Sequence, residues 1–210
     1  GGAAVLAVRS GSRRPEAVGS AESDAARGDV ILLGMQTGDT ITGLLGPAEL
    51  FEPVWVVSRM ATDAGVVIVA TAGNGALDLD RDELAYYRER GDSGVIMVGA
   101  GRPGTRERLG FSTYGERLDL QGWGEQVFTT GYGQYAIYGD DPNQSYTAVF
   151  SGTSSAGPVV AGVAALVQQG ESAVRLRELM GGYFTSDRLT YAKPNSDVID
   201  GFRKAYGQKV

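Results

Sequence analysis

Residues 150–169 read FSGTSSAGPVVAGVAALVQQ, and the two halves of this stretch are physically different. Residues 150–158 are small or hydroxyl-bearing, with Gly152 and Gly157 permitting close backbone approach. Pro158 suits the first turn of a helix, where its missing N–H costs nothing. Residues 159–167 are nearly all apolar. A segment apolar on every side predicts a buried helix, and this one is too short to cross a bilayer. A tight, hydroxyl-bearing turn therefore feeds a helix through the centre of a domain. A serine in such a turn sits where backbone N–H groups and the helix dipole favour developing negative charge.

Working outward, the 210 residues suffice for one α/β domain with a substantial core. The formal net charge is −6 and no basic run is present, which argues against a nucleic-acid or anionic-membrane surface. With no cysteine there is neither a disulfide nor a thiolate metal site. No signal peptide or transmembrane segment is visible in the sequence. The histidine count is zero, and that figure bears on every mechanism below.

In chain order, residues 3–8 (AAVLAV), 30–35 (VILLGM) and 66–70 (VVIVA) are apolar runs of strand length. A short helix is expected around 15–26, and residues 40–47 read as a loop. Leu50, Val54, Val57, Ala61 and Ala64 recur at helical spacing, with Pro53 near the start and Gly65 past the end. Further strands are expected from 95 and near 118–121. Residues 127–130 and 146–150 alternate and lie beside glycines, like antiparallel pieces near a surface. Fully apolar strands alternating with helices predict a mainly parallel sheet covered on both faces. Ligands gather at the carboxyl ends of such strands, where Asn74 lies.

Gly152-Thr153-Ser154-Ser155-Ala156-Gly157-Pro158 resembles the G-T-S-x-A-x-P nucleophile motif of the subtilisin-like serine proteases, the subtilases. Gly157 is a mild departure, since the family more often has Ser, Thr or Ala there. Ala72-Gly73-Asn74 is similar to the family's A-G-N element, about eighty residues earlier, in the family's order. Residues 28–31 (GDVI), 95–100 (VIMVGA), Phe111-Ser112-Thr113-Tyr114-Gly115 and Lys193-Pro194-Asn195 resemble further family elements. The likeness runs from about Gly2 to Ala205. It implies an α/β domain over residues 1–210, with the mainly parallel, helix-covered sheet of the subtilisin type. By that resemblance Ser154 is the nucleophile and Asn74 the oxyanion donor of a serine endopeptidase. It also implies that Gly34, Met35, Gln36, Ala72, Gly73 and Thr153 line the cleft, where an extended peptide would pair by β-addition. A peptide or protein substrate and a secreted setting are what the family leads one to expect, with no cofactor other than the calcium that subtilases often bind, through elements that match no particular residues here.

The departure is as informative as the match. A subtilase needs Asp, His and Ser in that order, because serine is a poor nucleophile until an imidazole takes its proton. No histidine is present, and no D-T/S-G segment precedes Ser154; Asp29 and Asp39 stand in contexts that match other family elements. The chain is thus expected to be the C-terminal part of a catalytic domain that lacks its N-terminal strands, truncated or cleaved from its Asp/His portion. That portion would be its natural partner. The alternative is a pseudoprotease or peptide-binding module that keeps the cleft without the chemistry. In the family's sheet the strand leading to the catalytic Asp lies between the strands at 3–8 and 30–35. Its loss would leave two apolar edges facing across a gap and a chain that folds poorly alone.

Two other patterns compete. Gly99-Ala100-Gly101-Arg102-Pro103-Gly104 spells G-x-G-x-x-G after a strand, with Asp119 beyond, as in dinucleotide sites. Such a site needs a helix opening at the glycines, and Pro103, Gly104, Gly110 and Gly115 interrupt one. Asp78, Asp80 and Asp82 with Glu89 are spaced like calcium-loop ligands. Glu83, however, stands where that loop wants glycine, so a solvated acidic turn is expected instead.

Overall fold

The computed structural model describes residues 5–7, 19–20 and 24–168. The elements run β1 (Val5–Ala7), β2 (Val30–Leu33), β3 (Gln36–Gly38), β4 (Leu45–Pro47), α1 (Glu52–Asp63), β5 (Val67–Thr71), α2 (Ala85–Glu89), β6 (Ile96–Gly101), β7 (Leu120–Trp123), β8 (Val127–Thr130), β9 (Ala136–Ile137), β10 (Ser145–Phe150) and α3 (Thr153–Gln168). The helix expected around 15–26 falls largely, and the Lys193-Pro194-Asn195 segment wholly, outside the described residues.

The continuous apolar runs became a five-stranded sheet of order β1-β2-β5-β6-β7, parallel throughout. Alternate side chains divide between its faces, as the pleat requires. Val30, Val69, Ile96, Val98, Ala100 and Leu120 pack against Val160, Ala161 and Ala164 of α3. Ile31, Leu33, Ile68, Ala70 and Met97 pack against Val54 and Ala61 of α1 on the other side. Each fully buried valine or isoleucine stabilises by roughly 1.5–3 kcal/mol, which is why both faces must be covered. Pro53 opens α1, and Gly65, at φ +90°, follows its end. A helix of this length and register is what the apolar spacing predicted.

Three expectations need correcting. The gap between the first two strands is absent: β1 pairs with β2 directly, Val5 opposite Val30 and Ala7 opposite Leu32. Backbone donors and acceptors left on two neighbouring edges satisfy one another, which removes the unpaired groups that argued for poor folding. Residues 40–47 are not simply a loop, because β4 returns antiparallel to β3 with Gln36 opposite Pro47 and Gly38 opposite Leu45. The central helix begins at Thr153, so Pro158 stands inside it instead of in its first turn. Gly152 explains the early start, since its carbonyl accepts from Ser155 N at 3.1 Å and Ala156 N at 3.4 Å. The proline forfeits one bond, to the Ser154 carbonyl, and lies at an exposed position.

A separate antiparallel ribbon, β8-β10-β9, precedes α3. Phe128 packs edge-on to Tyr135 at 5.2 Å and stacks on Tyr146 at 5.9 Å, ring centre to ring centre.

Candidate active site

Ser154 is the second residue of α3 and is half-buried. The turn before it is fixed on several sides. Gly152 N donates to Gly124 O at 2.8 Å, and Ser155 Oγ donates to Gly152 O at 2.8 Å and Trp123 O at 3.2 Å. A Cβ on Gly122 would stand 2.5 Å from Ala156 O, so β7 and the start of α3 meet backbone to backbone. Gly152 itself has φ +125°, a region that L side chains rarely adopt. Among the described residues none accepts the Ser154 N–H. It remains one of the helix's free N-terminal donors.

Asn74 lies just past β5 and faces this turn. Its Oδ1 accepts from Thr153 N at 2.8 Å and from Thr153 Oγ1 at 2.9 Å. A backbone N–H only donates, so the carbonyl end of the Asn74 amide must point at Thr153 and the amide cannot be reversed. Its Nδ2 is thereby directed elsewhere. The point where a Gly152 Cβ would stand is 3.5 Å from Asn74 Nδ2 and 3.5 Å from Ser154 N. Asn74 Oδ1 is 3.7 Å from the same point, so the Asn74 amide and the Ser154 nitrogen border one small space beside Gly152, which has no side chain to fill it. The Asn74 loop is held close by glycines. A Cβ on Gly73 would meet the Gly46 backbone at 2.8 Å, and one on Gly75 the Leu45 nitrogen at 2.4 Å.

The other candidate cleft residues divide. Gly34 is exposed, with nothing within 4 Å of where its Cβ would be. The Met35 side chain is buried, and its carbonyl accepts from Thr71 Oγ1 at 3.1 Å. Gln36 is half-buried and its Oε1 accepts from Asn74 N at 2.9 Å. Ala72 is fully buried, its N donating to Val98 O, and buried Gly73 accepts from Thr113 N. Thr153 is buried with its hydroxyl on Asn74. The structure therefore brings Asn74, Gln36, Gly152, Thr153 and Ser154 together. The contacts of Gln36 and Thr153 with Asn74 were missed from sequence; a hydroxyl residue beginning a helix was the signal available for Thr153.

Neither competing pattern forms its site. Gly99 and Gly101 lie within β6, where Cβ atoms would meet Leu118 Cδ2 at 2.6 Å and the Gln121 side chain at 2.4 Å. No helix occurs between β6 and β7. In the acidic stretch Asp78 Oδ1 accepts from Asp80 N, the Asp80 carboxylate from Glu116 N, and Arg81 pairs with Glu83. Among the described residues no group of three carboxylates could hold a metal ion, so this stretch does not fit a calcium loop. Asp39 is buried in the turn after β3. Burial pushes its carboxyl up, but hydrogen bonds from Thr42, the Tyr86 hydroxyl and Ile41 N outweigh that and hold it below the usual range. Tyr86 is pushed up to about 12, by burial first and then by its bond to Asp39. Asp39 is thus a fixed turn acceptor.

A sequence profile of the Subtilase family matches residues 39–188. Thermitase of Thermoactinomyces vulgaris is 32% identical over 193 residues, covering 90% of this chain and 59% of thermitase. The extracellular serine proteinase of Thermus sp. (strain Rt41A) is 33% identical over 135 residues, 64% of this chain and 28% of that protein. Among solved structures, the epidermin leader peptide processing serine protease of Staphylococcus aureus superposes with a TM-score of 0.55 at 19% identity. That match covers 94% of this chain and 55% of the other, and at such identity it speaks for the fold alone. The chain spans less than two thirds of each of these proteins. With the family's profile running through both the Asn74 loop and the Ser154 helix, and a 32% identical relative aligned along nine-tenths of this chain, the chain belongs to the subtilase family.

Proposed function

We propose that this chain carries the nucleophile and the oxyanion donors of a subtilisin-like serine endopeptidase, acting on peptide or protein substrates. One observation carries the reading: the amide of Asn74, oriented by Thr153, and the N–H of Ser154 flank a single space beside the Ser154 turn. Ser154 Oγ attacks the scissile carbonyl carbon and gives up its proton to a base. The carbonyl oxygen becomes an oxyanion, which Asn74 Nδ2 and Ser154 N stabilise. The C–N bond then breaks, the amine takes the proton, and water hydrolyses the acyl ester on Ser154. The base must be an imidazole from outside these 210 residues, since they contain no histidine. Gln36 and Thr153 stand beside the nucleophile turn through their bonds to Asn74, buried Met35, Ala72 and Gly73 back them, and Gly34 is the open backbone position for an added strand. An extracytoplasmic setting follows from kinship with an extracellular proteinase. No helix among the described residues is long and apolar enough to cross a membrane.

The absence of histidine favours a second reading, a non-catalytic peptide-binding module. Labelling with a fluorophosphonate separates the two. In the protein supplied with its Asp and His segments, Ser154 is expected to be labelled, and Ser154→Ala to abolish both labelling and peptidase activity. Asn74→Ala is expected to lower kcat by about 10²–10³ with KM nearly unchanged. That magnitude is established for subtilisin itself and is carried over by kinship. Labelling that persists in Ser154→Ala would overturn the nucleophile assignment. A peptide that binds but is never cleaved, whatever Asp/His segment is supplied, would favour the binding module.

A further inference from the structure

We infer that Gln36 is a positioning residue for Asn74, and that through Asn74 it sets the rate of the chemical step. The inference rests on the reading of Asn74 as an oxyanion donor. Asn74 sits in a loop with little stiffness of its own. It lies between Gly73, at φ +94°, and Gly75, and is followed by Ala76 at φ +50°. Neither glycine can be replaced by a stiffer residue, because the backbones of Gly46 and Leu45 occupy the space a Cβ would need. On either side the backbone is held by Thr113 N on Gly73 O at 3.0 Å and Ala76 N on Phe111 O at 2.8 Å, and residue 74 between them is placed by its own hydrogen bonds. Thr153 supplies two of them to the side chain, both at Oδ1. They fix which way the amide faces but leave the backbone of residue 74 to something else.

Gln36 supplies that restraint, accepting the Asn74 N–H at Oε1 at 2.9 Å. Because the partner is a donor, the carbonyl end of the Gln36 amide is the end that must face it. Gln36 is itself well anchored. It is paired with Pro47 in the β3–β4 hairpin, and the preceding Met35 carbonyl is held by Thr71 Oγ1. The side chain thus links β3 to the loop that bears Asn74. Asn74 is gripped from both sides, by β3 through its backbone and by α3 through its side chain, with Nδ2 left to meet the substrate oxygen. Oxyanion stabilisation demands that the donor be in place before charge develops, and a shift of about 1 Å is enough to cost up to 10²-fold. Loss of one of the three restraints should cost less than loss of the donor.

The test uses Gln36→Met, close in size but without the acceptor, in the catalytically complete protein, with kcat expressed per titrated active site. A fluorogenic peptide that the wild type cleaves serves as substrate. The expected result is a kcat lower by about tenfold with KM within about twofold. Affinity for a peptidyl aldehyde, whose adduct carries the oxyanion, should fall by a similar factor. In an Asn74→Ala background the same substitution should change kcat by less than about twofold, because nothing remains to be positioned. A purely structural role would raise KM or lower the titrated fraction and would act equally in both backgrounds. The inference is overturned if Gln36→Met leaves kcat intact, or if its loss is the same with and without the Asn74 side chain. If Asn74→Ala itself leaves kcat intact, the oxyanion reading fails and the inference falls with it.

Discussion

Gly152 links backbone conformation to chemistry at the scale of a single residue. Its φ of +125° lets the chain turn from β10 into α3, and its missing side chain leaves the space between Asn74 Nδ2 and Ser154 N. Gly152→Ala would strain the turn by about 1–3 kcal/mol and place a methyl group 3.5 Å from both donors. Its kcat is expected to fall by about 10² or more, as if the donor had been removed. Steady-state kinetics on titrated enzyme would check this, and a variant with wild-type kcat would show that no oxyanion forms in that space. Ser154 and Asn74 were legible in the sequence because each sits in a short motif whose spelling is itself the constraint. The grip on Asn74 was not. Its partners are 38 and 79 residues away, and no local pattern states which side chain accepts a given backbone N–H.

At the scale of elements, α3 presses on the sheet through Gly157, the one position where the nucleophile motif departs from the family's usual residues. A Cβ there would stand 2.7 Å from Thr71 Cγ2 and 3.4 Å from Leu32 Cδ1. Thr71 cannot easily yield, being buried, stiff at its branched Cβ, and bonded through Oγ1 to the Met35 and Leu33 carbonyls. Alanine would improve helix propensity by about 1 kcal/mol. Overpacking against a rigid neighbour costs about 1–3 kcal/mol and should prevail. Gly157→Ala is therefore expected to be destabilising, and Thr71→Ser in the same protein to restore part of the loss by removing the methyl group. Denaturant unfolding of the two single variants and the double variant measures this coupling; strict additivity would show the contact to be slack. The strands of the main sheet were readable because burial on both faces demands unbroken apolar runs. The β3–β4 hairpin was hidden, since each strand has three residues and β4 contains Gly46 and Pro47. The start of α3 was hidden because Pro158 suggested a boundary, while Gly152 and Asn74 hold the true one through contacts.

Across the whole molecule, what ties the hairpin, α2 and the sheet together is a buried charged cluster that periodicity could not reveal. Glu49, two residues past β4, accepts from the Tyr87 hydroxyl, Ser93 Oγ and Arg117 Nε. Arg117 also donates to Asp119 Oδ2 at 3.1 Å and Val95 O at 3.2 Å, and Asp119 Oδ2 accepts from Met97 N within the sheet. Burial pulls the Arg117 guanidinium down, but Glu49, the Tyr87 oxygen, Asp119 and Asp92 more than offset it and hold it well above its ordinary value. The guanidinium therefore stays charged across the pH range in which the protein is folded, and its carboxylate partners depend on it. Arg117→Met would leave Glu49 and Asp119 buried without that cation, a defect that costs about 3–5 kcal/mol. Arg117→Lys should recover only a minority of the loss. A single ammonium cannot reproduce a planar fork that reaches Glu49 through Nε and Asp119 through Nη1 while Nη2 bonds Val95 O. Guanidinium unfolding of the two variants decides the matter. If Arg117→Met lies within about 1 kcal/mol of wild type, the cluster is not what joins these elements. If Lys matches Arg, charge alone suffices and the fork geometry is dispensable.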